Sequence, residues 1–246
     1  MPSQLDDSLP AYTAAFPYFQ ENEAASQWFT RRVAQTLASS QARSLLSLGL
    51  GHQIVAAGFI KTLAEKLDHY TIVEGSAALV EQFKAEHVVP ANVEVAHALF
   101  EAYQPVRQYD ALEIGFVLEH VDDPGLILEK YAPCLRPGGS LFLAVPNAAT
   151  LHRRFGHAAG LLDNIYQLSS ADLALGHKRY FDVNSFTKLV LSAGYQIRRL
   201  EGIYMKPLTT VQLDALSLPP AVYQAFFEVG IHYPELCHAI YIEATR

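Results

Sequence analysis

The chain has 246 residues, of which 50% are hydrophobic and 17% charged, which suits one sizeable folded domain and excludes a disordered tail. Its 18 Lys and Arg against 25 Asp and Glu leave a net charge of −7, which argues against a protein whose main affinity is for nucleic acid or an anionic membrane. Two cysteines cannot build a disulfide scaffold, and neither a secretory signal nor a membrane-spanning run is visible, so we expect a soluble, cytoplasmic protein.

The first half of the chain predicts a sheet with helices on both faces. Residues 23–38 have helical spacing, and from residue 44 short apolar runs alternate with segments of helix length. The runs cover residues 44–48, 70–74, 93–96, 111–115 and 140–145, and the helices between them cover 53–67, 77–86 and 124–134. Apolar strands separated by helices predict a parallel sheet, which right-handed crossovers make a doubly wound, Rossmann-like α/β sheet.

The last third of the chain predicts an extension of this sheet. Residues 182–193 form a helix that Asp182 caps and Gly194 ends. Two further strands follow at 195–205 and 237–244, with a long insertion between them. The prediction is therefore a seven-stranded sheet, mostly parallel, with an antiparallel C-terminal edge strand.

A glycine turn follows the first strand. Gly49 and Gly51 allow the backbone to turn sharply and to approach a ligand beside a helix N-terminus. A tight turn alone would explain this pair, but Glu74 ends the second strand, where a carboxylate can accept hydrogen bonds from both ribose hydroxyls. Together they predict a nucleoside site. His52-Gln53 replaces the third glycine of a dinucleotide fingerprint, which weakens the hypothesis of a nicotinamide enzyme.

Five segments in this order resemble the class I S-adenosylmethionine-dependent methyltransferases, especially those that act on small molecules. They are 46–51 (LSLGLG), 73–76 (VEGS), 109–124 (YDALEIGFVLEHVDDP), 135–147 (LRPGGSLFLAVPN) and 176–194 (GHKRYFDVNSFTKLVLSAG). The resemblance covers roughly residues 40–205. It implies S-adenosyl-L-methionine as cofactor and S-adenosyl-L-homocysteine as product.

The resemblance also implies which residues bind the cofactor. Gly49 and Gly51 would lie under the methionine part, Glu74 would hold the ribose, 98–100 would lie near the adenine, and 115–117 would flank the methyl donor. The candidates are Leu48, Gly49, Gly51, Gln53, Glu74, Gly75, Ser76, Leu99, Phe100, Gly115, Phe116 and Val117. Where Leu99 stands the family often has a residue that contacts the adenine amine, so we expect backbone groups or another side chain to recognise adenine. His52 is expected to narrow the turn.

Two histidines are candidate catalytic residues, because a hydroxyl or protonated amine acceptor needs a general base. His120 follows the fourth strand at the cofactor edge, although we favour the alternative that it and Glu119 cap the next helix. His177 forms a cluster with Arg179 and Tyr180, for which a structural latch and a substrate role are equally supported. No HExxH motif is present and His152 and His157 are poorly spaced, so no metal is expected.

The acceptor is expected to bind among aromatic and polar residues from three parts of the chain. The substrate-binding candidates are Tyr12, Tyr18, His152, Arg179, Tyr180 and Tyr204. Phe16, Phe19 and Trp28 are further candidates for a cover, although packing on the sheet is favoured for Trp28 and Phe29. Arg153 and Arg154 could meet a carboxylate or phosphate, but solvation at the surface is their expected role.

The functional prediction is methyl transfer to an oxygen or nitrogen of a small organic molecule by a monomer or homodimer, with no nucleic-acid or membrane partner. The alternatives are a non-catalytic methyltransferase-like binding protein and, less favoured, an NAD(P)-dependent oxidoreductase. No Asn-Pro-Pro-Tyr motif follows the fourth strand, which disfavours a nucleic-acid methyltransferase. The expected division of the single domain, 1–246, is a helical cap at 1–40, a cofactor-binding half at 41–147, and substrate-side insertions at 148–176 and 206–236.

Overall fold

Seven strands form one sheet in the computed structural model, which describes residues 4–246. The strands are β1 Ser44–Leu48, β2 His69–Glu74, β3 Val93–His97, β4 Tyr109–Gly115, β5 Leu135–Pro146, β6 Gln196–Ile203 and β7 Ala239–Thr245. Their order is β3-β2-β1-β4-β5-β7-β6; β1 to β5 pair in parallel, and β7 is antiparallel to both neighbours. The predicted sheet is confirmed, and its antiparallel strand lies one position in from the edge, which β6 occupies.

Nine α-helices and two short 3-10 helices surround the sheet in the described part of the chain. The α-helices are α1 Phe19–Ser39, α2 Ile54–Leu63, α3 Ala77–Glu86, α4 Pro124–Tyr131, α5 Leu151–Ala158, α6 Ser170–Ala174, α7 Val183–Ser192, α8 Thr210–Ala215 and α9 Pro220–Gly230, and the 3-10 helices are Gln4–Tyr12 and Ala132–Cys134. As predicted, Asp182 caps α7 by accepting from the Ser185 N–H at 2.7 Å. Helix α2 ends earlier than predicted, because the Asn92 amide donates to the carbonyls of Ala64 and Leu67 beyond its end.

Apolar side chains on both faces of the sheet pack against helices. Helices α1, α2 and α3 cover one face, and α4 and α7 cover the other. Trp28 and Phe29 of α1 both pack edge-to-face on Tyr241 of β7, with ring centroids 5.8 and 5.9 Å apart. The prediction that Trp28 and Phe29 pack on the sheet is therefore confirmed.

The neighbouring strands β1 and β4 determine where a ligand can bind. The chain leaves β1 toward β2 on one side, and β4 lies on the other side of β1. In an open α/β sheet such a reversal of strand order leaves a crevice at the carboxyl ends of the strands. The glycine turn after β1 and the segment after β4 border this crevice. Within residues 4–246, none of the helices combines the length and apolar character needed to span a membrane.

We predict that the packing of α1 on the sheet contributes strongly to stability. Phe29 is fully buried, so Phe29→Ala should lower the free energy of unfolding by about 3–5 kcal/mol. Phe155 is 54% exposed, and Phe155→Ala should change this free energy by less than about 0.5 kcal/mol. Urea unfolding of both variants measures the difference; equal losses would contradict the described packing.

Candidate functional site

A cavity of about 230 Å³ opens at the carboxyl ends of β1 and β4. Its walls come from the glycine turn, the segment after β4, the start of α1, both insertions and the loop before β7. Five of the predicted cofactor residues line it: Gly49, Gly51, Gly115, Phe116 and Val117. The long insertions thus do border a pocket, as their position at this edge predicts.

Three glycines, Gly49, Gly51 and Gly115, lie in the wall of the cavity where a larger residue would be strained or would collide with a neighbour. Gly49 and Gly51 have positive φ angles of 86° and 46°, which other residues adopt only with strain. A Cβ on Gly49 would lie 3.0 Å from Cγ2 of Val117, which also lines the cavity. A Cβ on Gly115 would lie 2.4 Å from Cε1 of Phe29, so α1 packs directly on the backbone that follows β4.

Glu74 ends β2 beside the glycine turn, as predicted. Its carboxylate accepts from the backbone N–H of Leu50 at 2.8 Å and of Ser76 at 2.7 Å. Burial raises the pKa of Glu74, although these backbone hydrogen bonds oppose the shift. The carboxylate is thus fixed in orientation and keeps free lone pairs.

The N-terminal 3-10 helix covers the end of β2. A Cβ on Gly75 would lie 2.7 Å from Cδ1 of Leu5 and 3.3 Å from Cδ2 of Leu99, and the Ser76 hydroxyl donates to Asp6 at 2.6 Å. Five predicted cofactor residues therefore do not line the open cavity: Glu74, Gly75, Ser76, Leu99 and Phe100.

Two other predicted cofactor residues also lie outside the cavity lining. Leu48 is buried in the sheet core. Gln53 begins α2 in a left-handed conformation, and its side-chain oxygen lies 3.1 Å from Nε2 of His87, on the side away from the cavity. The neighbouring His52 does line the cavity, with its ring edge-to-face against Tyr12 at 5.0 Å.

Both predicted catalytic histidines line the cavity, and their rings meet edge-to-face at 4.8 Å. Nδ1 of His177 lies 3.2 Å from Oδ1 of Asp172, a residue of α6 that sequence analysis missed. Burial would raise the pKa of Asp172, but His177 and hydrogen bonds from Ser169 and Tyr180 lower it well below its ordinary value. Burial lowers the pKa of His120 to about 3, and the neighbouring His177 adds to this shift.

Glu119 faces the cavity with its carboxylate unsatisfied. The residue is 1% exposed, and neither of its side-chain oxygens accepts a hydrogen bond in the described chain, although Oε1 lies 3.9 Å from Nε2 of His120. Burial raises its pKa to about 7. The expectation that Glu119 and His120 cap the next helix is wrong, because Asp123 caps α4 by accepting from the Leu126 N–H.

One group among the side chains that the structure describes could hold a metal ion. Glu119, His120 and His177 offer ligand atoms that lie within 4.8 Å of one another. The expectation of a site without metal therefore stays a prediction.

Four of the six predicted substrate residues line the cavity: Tyr12, Tyr18, His152 and Tyr180. Arg179 instead donates to the carbonyls of Leu118, Val121 and Asp122, so its guanidinium holds the loop after β4. Of the two roles considered for Arg179, this is the structural one. Tyr204 stacks on Phe227 at 5.0 Å, within the core. Neither of these two lines the cavity.

Several charged residues in the walls were not predicted. Glu21 of α1 accepts from the Lys206 ammonium at 2.6 and 2.7 Å, and both side chains are almost fully buried. The hydroxyl of Thr210 also donates to Glu21, and His238 lies 3.1 Å from it. Arg153 is buried as well, so the expectation of surface solvation is wrong for it, whereas Arg154 is exposed as expected.

A family model described as a methyltransferase domain matches residues 19–200. The chain belongs to this methyltransferase family. A ubiquinone biosynthesis O-methyltransferase of Aeromonas salmonicida is 24% identical to it over 200 residues, which cover 78% of each chain. The resemblance to S-adenosylmethionine-dependent methyltransferases is thus confirmed at the level of the family.

Solved structures of the same fold differ in activity. The plantazolicin methyltransferase BpumL, solved with SAH, has a TM-score of 0.60 at 13% identity, over 98% of the present chain and 89% of its own. The cyclase SpnF has a TM-score of 0.58 at 16% identity, over 89% and 80% of the two chains. These likenesses show the fold of the methyltransferase, and the acceptor and catalytic residues have to be argued from its own cavity.

We predict that the buried Glu113 makes the stability of the methyltransferase depend on pH. Burial raises the pKa of Glu113 to about 8, while its carboxylate accepts from the Gly115 N–H at 2.7 Å. Between the ordinary glutamate pKa and this value the folded chain keeps a proton that the unfolded chain has lost, so stability falls as pH rises. Glu113→Gln keeps a hydrogen-bond acceptor at this position and has no titrating carboxyl, so it removes this fall in stability with rising pH.

The measurement is the melting temperature of Glu113→Gln relative to the wild type, from about pH 5 to about pH 8. The difference should shift in favour of the variant as pH rises. Glu235→Gln, at an exposed glutamate, serves as the control and should show a constant difference. A constant difference for Glu113→Gln as well would contradict the raised pKa.

Proposed function

We propose that this methyltransferase transfers a methyl group from S-adenosyl-L-methionine to a hydroxyl oxygen of a small organic molecule, with His177 as the general base. The observation that supports this most is the contact between His177 and Asp172 in the wall of the cavity, 3.2 Å long. The name of the Aeromonas salmonicida relative, an O-methyltransferase, agrees with an oxygen acceptor. The cytoplasmic location and the monomeric or dimeric state remain predictions.

The residues around the glycine turn fit the cofactor. A Cβ at position 49 would fill the space between the backbone and Val117. A glycine leaves this space free for a ligand that lies on the backbone. Glu74 is held by two backbone N–H groups and retains acceptor capacity for the two ribose hydroxyls. Leu5 and Asp6 cover the end of β2, so the adenosine half can bind only if this segment shifts.

The bound sulfonium supplies an activated methyl group, and its sulfur keeps the electrons of the bond that breaks. The protein therefore needs no covalent nucleophile of its own. Its residues align the acceptor and exclude water, and such alignment alone can account for much of the acceleration. What remains for side chains is to remove the proton of a hydroxyl acceptor.

His177 suits this task better than His120. Oδ1 of Asp172 lies 3.2 Å from Nδ1 of His177 as an ion-pair contact without hydrogen-bond geometry, and a carboxylate at this distance stabilises the imidazolium that forms when Nε2 accepts the proton. Asp172 is held in turn by Ser169 and Tyr180, so this carboxylate is oriented before the acceptor arrives. The pKa of about 3 makes His120 a weak base.

Glu119 supports an acceptor that donates a hydrogen bond. A buried polar group without a partner costs about 1–3 kcal/mol, or more when charged. The Glu119 carboxylate lines the cavity and accepts no hydrogen bond from the described residues, and its Oε1 lies 3.9 Å from Nε2 of His120. A hydroxyl of the acceptor would satisfy it, whereas a thioether or an alkene carbon would not.

The cofactor site is tested by calorimetry with S-adenosyl-L-homocysteine. Glu74→Gln should weaken binding about 10- to 100-fold, because hydrogen bonds to an ionised carboxylate are replaced by bonds to an amide. Glu86→Gln, at an exposed glutamate of α3, should leave the affinity unchanged. Failure of the intact protein to bind would refute the proposed function.

The base is tested by replacing each histidine in turn. His177→Gln should lower kcat about 10²- to 10⁴-fold while the affinity for S-adenosyl-L-homocysteine is retained. His120→Gln should lower kcat much less. A scintillation assay with methyl-labelled cofactor and a panel of phenols and alcohols measures turnover. Equal losses in the two variants, accompanied by equal losses in melting temperature, would indicate a latch instead of a base.

A further inference from the structure

Arg153 is a buried cation that pairs with none of the acidic side chains that the structure describes. The residue is 7% exposed and lines the cavity from α5. Its Nε donates to the carbonyl of Ile165 at 3.0 Å and its Nη2 to that of Gln167, while the guanidinium carbon lies 4.4 Å from the Tyr180 ring centroid. Its third nitrogen, Nη1, forms no hydrogen bond or ion pair with the side chains that the structure describes.

This arrangement points to a ligand because a buried charge is costly unless it is paired. An arginine keeps its charge throughout the physiological pH range and cannot avoid this cost by losing a proton. The two carbonyls and the Tyr180 ring fix the plane of the guanidinium, so the donors on Nη1 are oriented in advance. Donors on a guanidinium held in this way suit the oxygens of a carboxylate or phosphate.

The acids nearby have other partners. Asp172 accepts from Ser169 and Tyr180, and Glu21 accepts from Lys206 and Thr210. Neither acid accepts from Arg153, so this side of the cavity holds the positive charges of Arg153 and Lys206 and the negative charges of Glu21 and Asp172, and only Lys206 is paired directly with an acid. Burial lowers the pKa of the neighbouring His152 to about 3; Lys206, His238 and Arg153 add to this shift, and Glu21 opposes it.

We propose that the methyl acceptor has an oxyanion group, a carboxylate or a phosphate, that Arg153 binds while its hydroxyl lies at His177. This inference rests on the proposed function and specifies its substrate class. The Tyr180 ring lies against both residues, with its centroid 4.4 Å from the Arg153 guanidinium and 6.3 Å from the His177 ring centroid. Arg153 and His177 thus both lie against one ring in the wall of the cavity.

The experiment measures binding of three probes that differ only in charge and geometry. Benzoate, phenyl phosphate and neutral benzyl alcohol are titrated calorimetrically into the wild type, with and without S-adenosyl-L-homocysteine. The variant is Arg153→Gln, and the matched control is Arg154→Gln, because Arg154 is the exposed neighbour on the same helix.

We expect at least one anion to bind the wild type about 10- to 100-fold more tightly than benzyl alcohol does. Arg153→Gln should abolish this preference and Arg154→Gln should retain it. Tighter binding of phenyl phosphate than of benzoate would identify a phosphate acceptor, and the reverse order a carboxylate. Arg153→Lys, which keeps the charge without the guanidinium, should retain part of the preference.

The wild-type comparison keeps the inference falsifiable even if Arg153→Gln fails to fold. Equal affinities of the wild type for the anions and benzyl alcohol, or no binding of either anion, would overturn it. So would an equal loss of anion preference in Arg154→Gln. If S-adenosyl-L-homocysteine binds but no anion is preferred, only the substrate class fails. If S-adenosyl-L-homocysteine does not bind at all, the proposed function itself fails.

Discussion

The rest of the site depends on the parallel pairing of β1 with β4 at the centre of the sheet. This pairing brings the glycine turn after β1 next to the segment after β4, although the two are far apart in sequence. Close approach of α1 seals one side, because Phe29 packs against Gly115 where no side chain could fit. The cavity therefore has a rigid wall of strands, and the two insertions complete it.

Burial of ionisable groups is the recurring feature of this cavity. Glu113 and Glu119 have raised pKa values because they are desolvated, and His120 has a lowered one for the same reason. Asp172 shows the opposite shift because it has three partners. These groups cost stability in the free protein, and such groups concentrate at sites where a ligand or a reaction compensates for them.

Much of the cofactor half follows from sequence, because it depends on local signals. The turn at Gly49 and Gly51, the acid Glu74 at a strand end and the cap at Asp182 all act within a few residues of the chain. The mostly parallel sheet also follows, since apolar strands alternate with helices, whereas the order of its strands was not predicted. In each case the residue type alone indicates the local backbone geometry.

The acceptor half depends on contacts between distant segments, which local patterns do not reveal. Asp172 has the spacing of an ordinary capping box with Ser169, and only the fold brings it to His177. Arg153 and Arg154 are indistinguishable in sequence, and the orientation of α5 buries one and exposes the other. Arg179 and Tyr204 have suitable side chains for substrate binding, but the carbonyls of the 118–122 loop and the ring of Phe227 already contact them.

The most direct measurement is a crystal structure of the protein with S-adenosyl-L-homocysteine bound. We expect the ribose at Glu74, the amino-acid end between Gly49 and Val117, and the segment of Leu5 and Asp6 displaced from Gly75 and Ser76. The sulfur should point into the part of the cavity that His177 and Glu119 line. A ligand bound elsewhere, or at Glu74 with its sulfur directed away from His177, would contradict the assignment of this cavity as a methyl-transfer site.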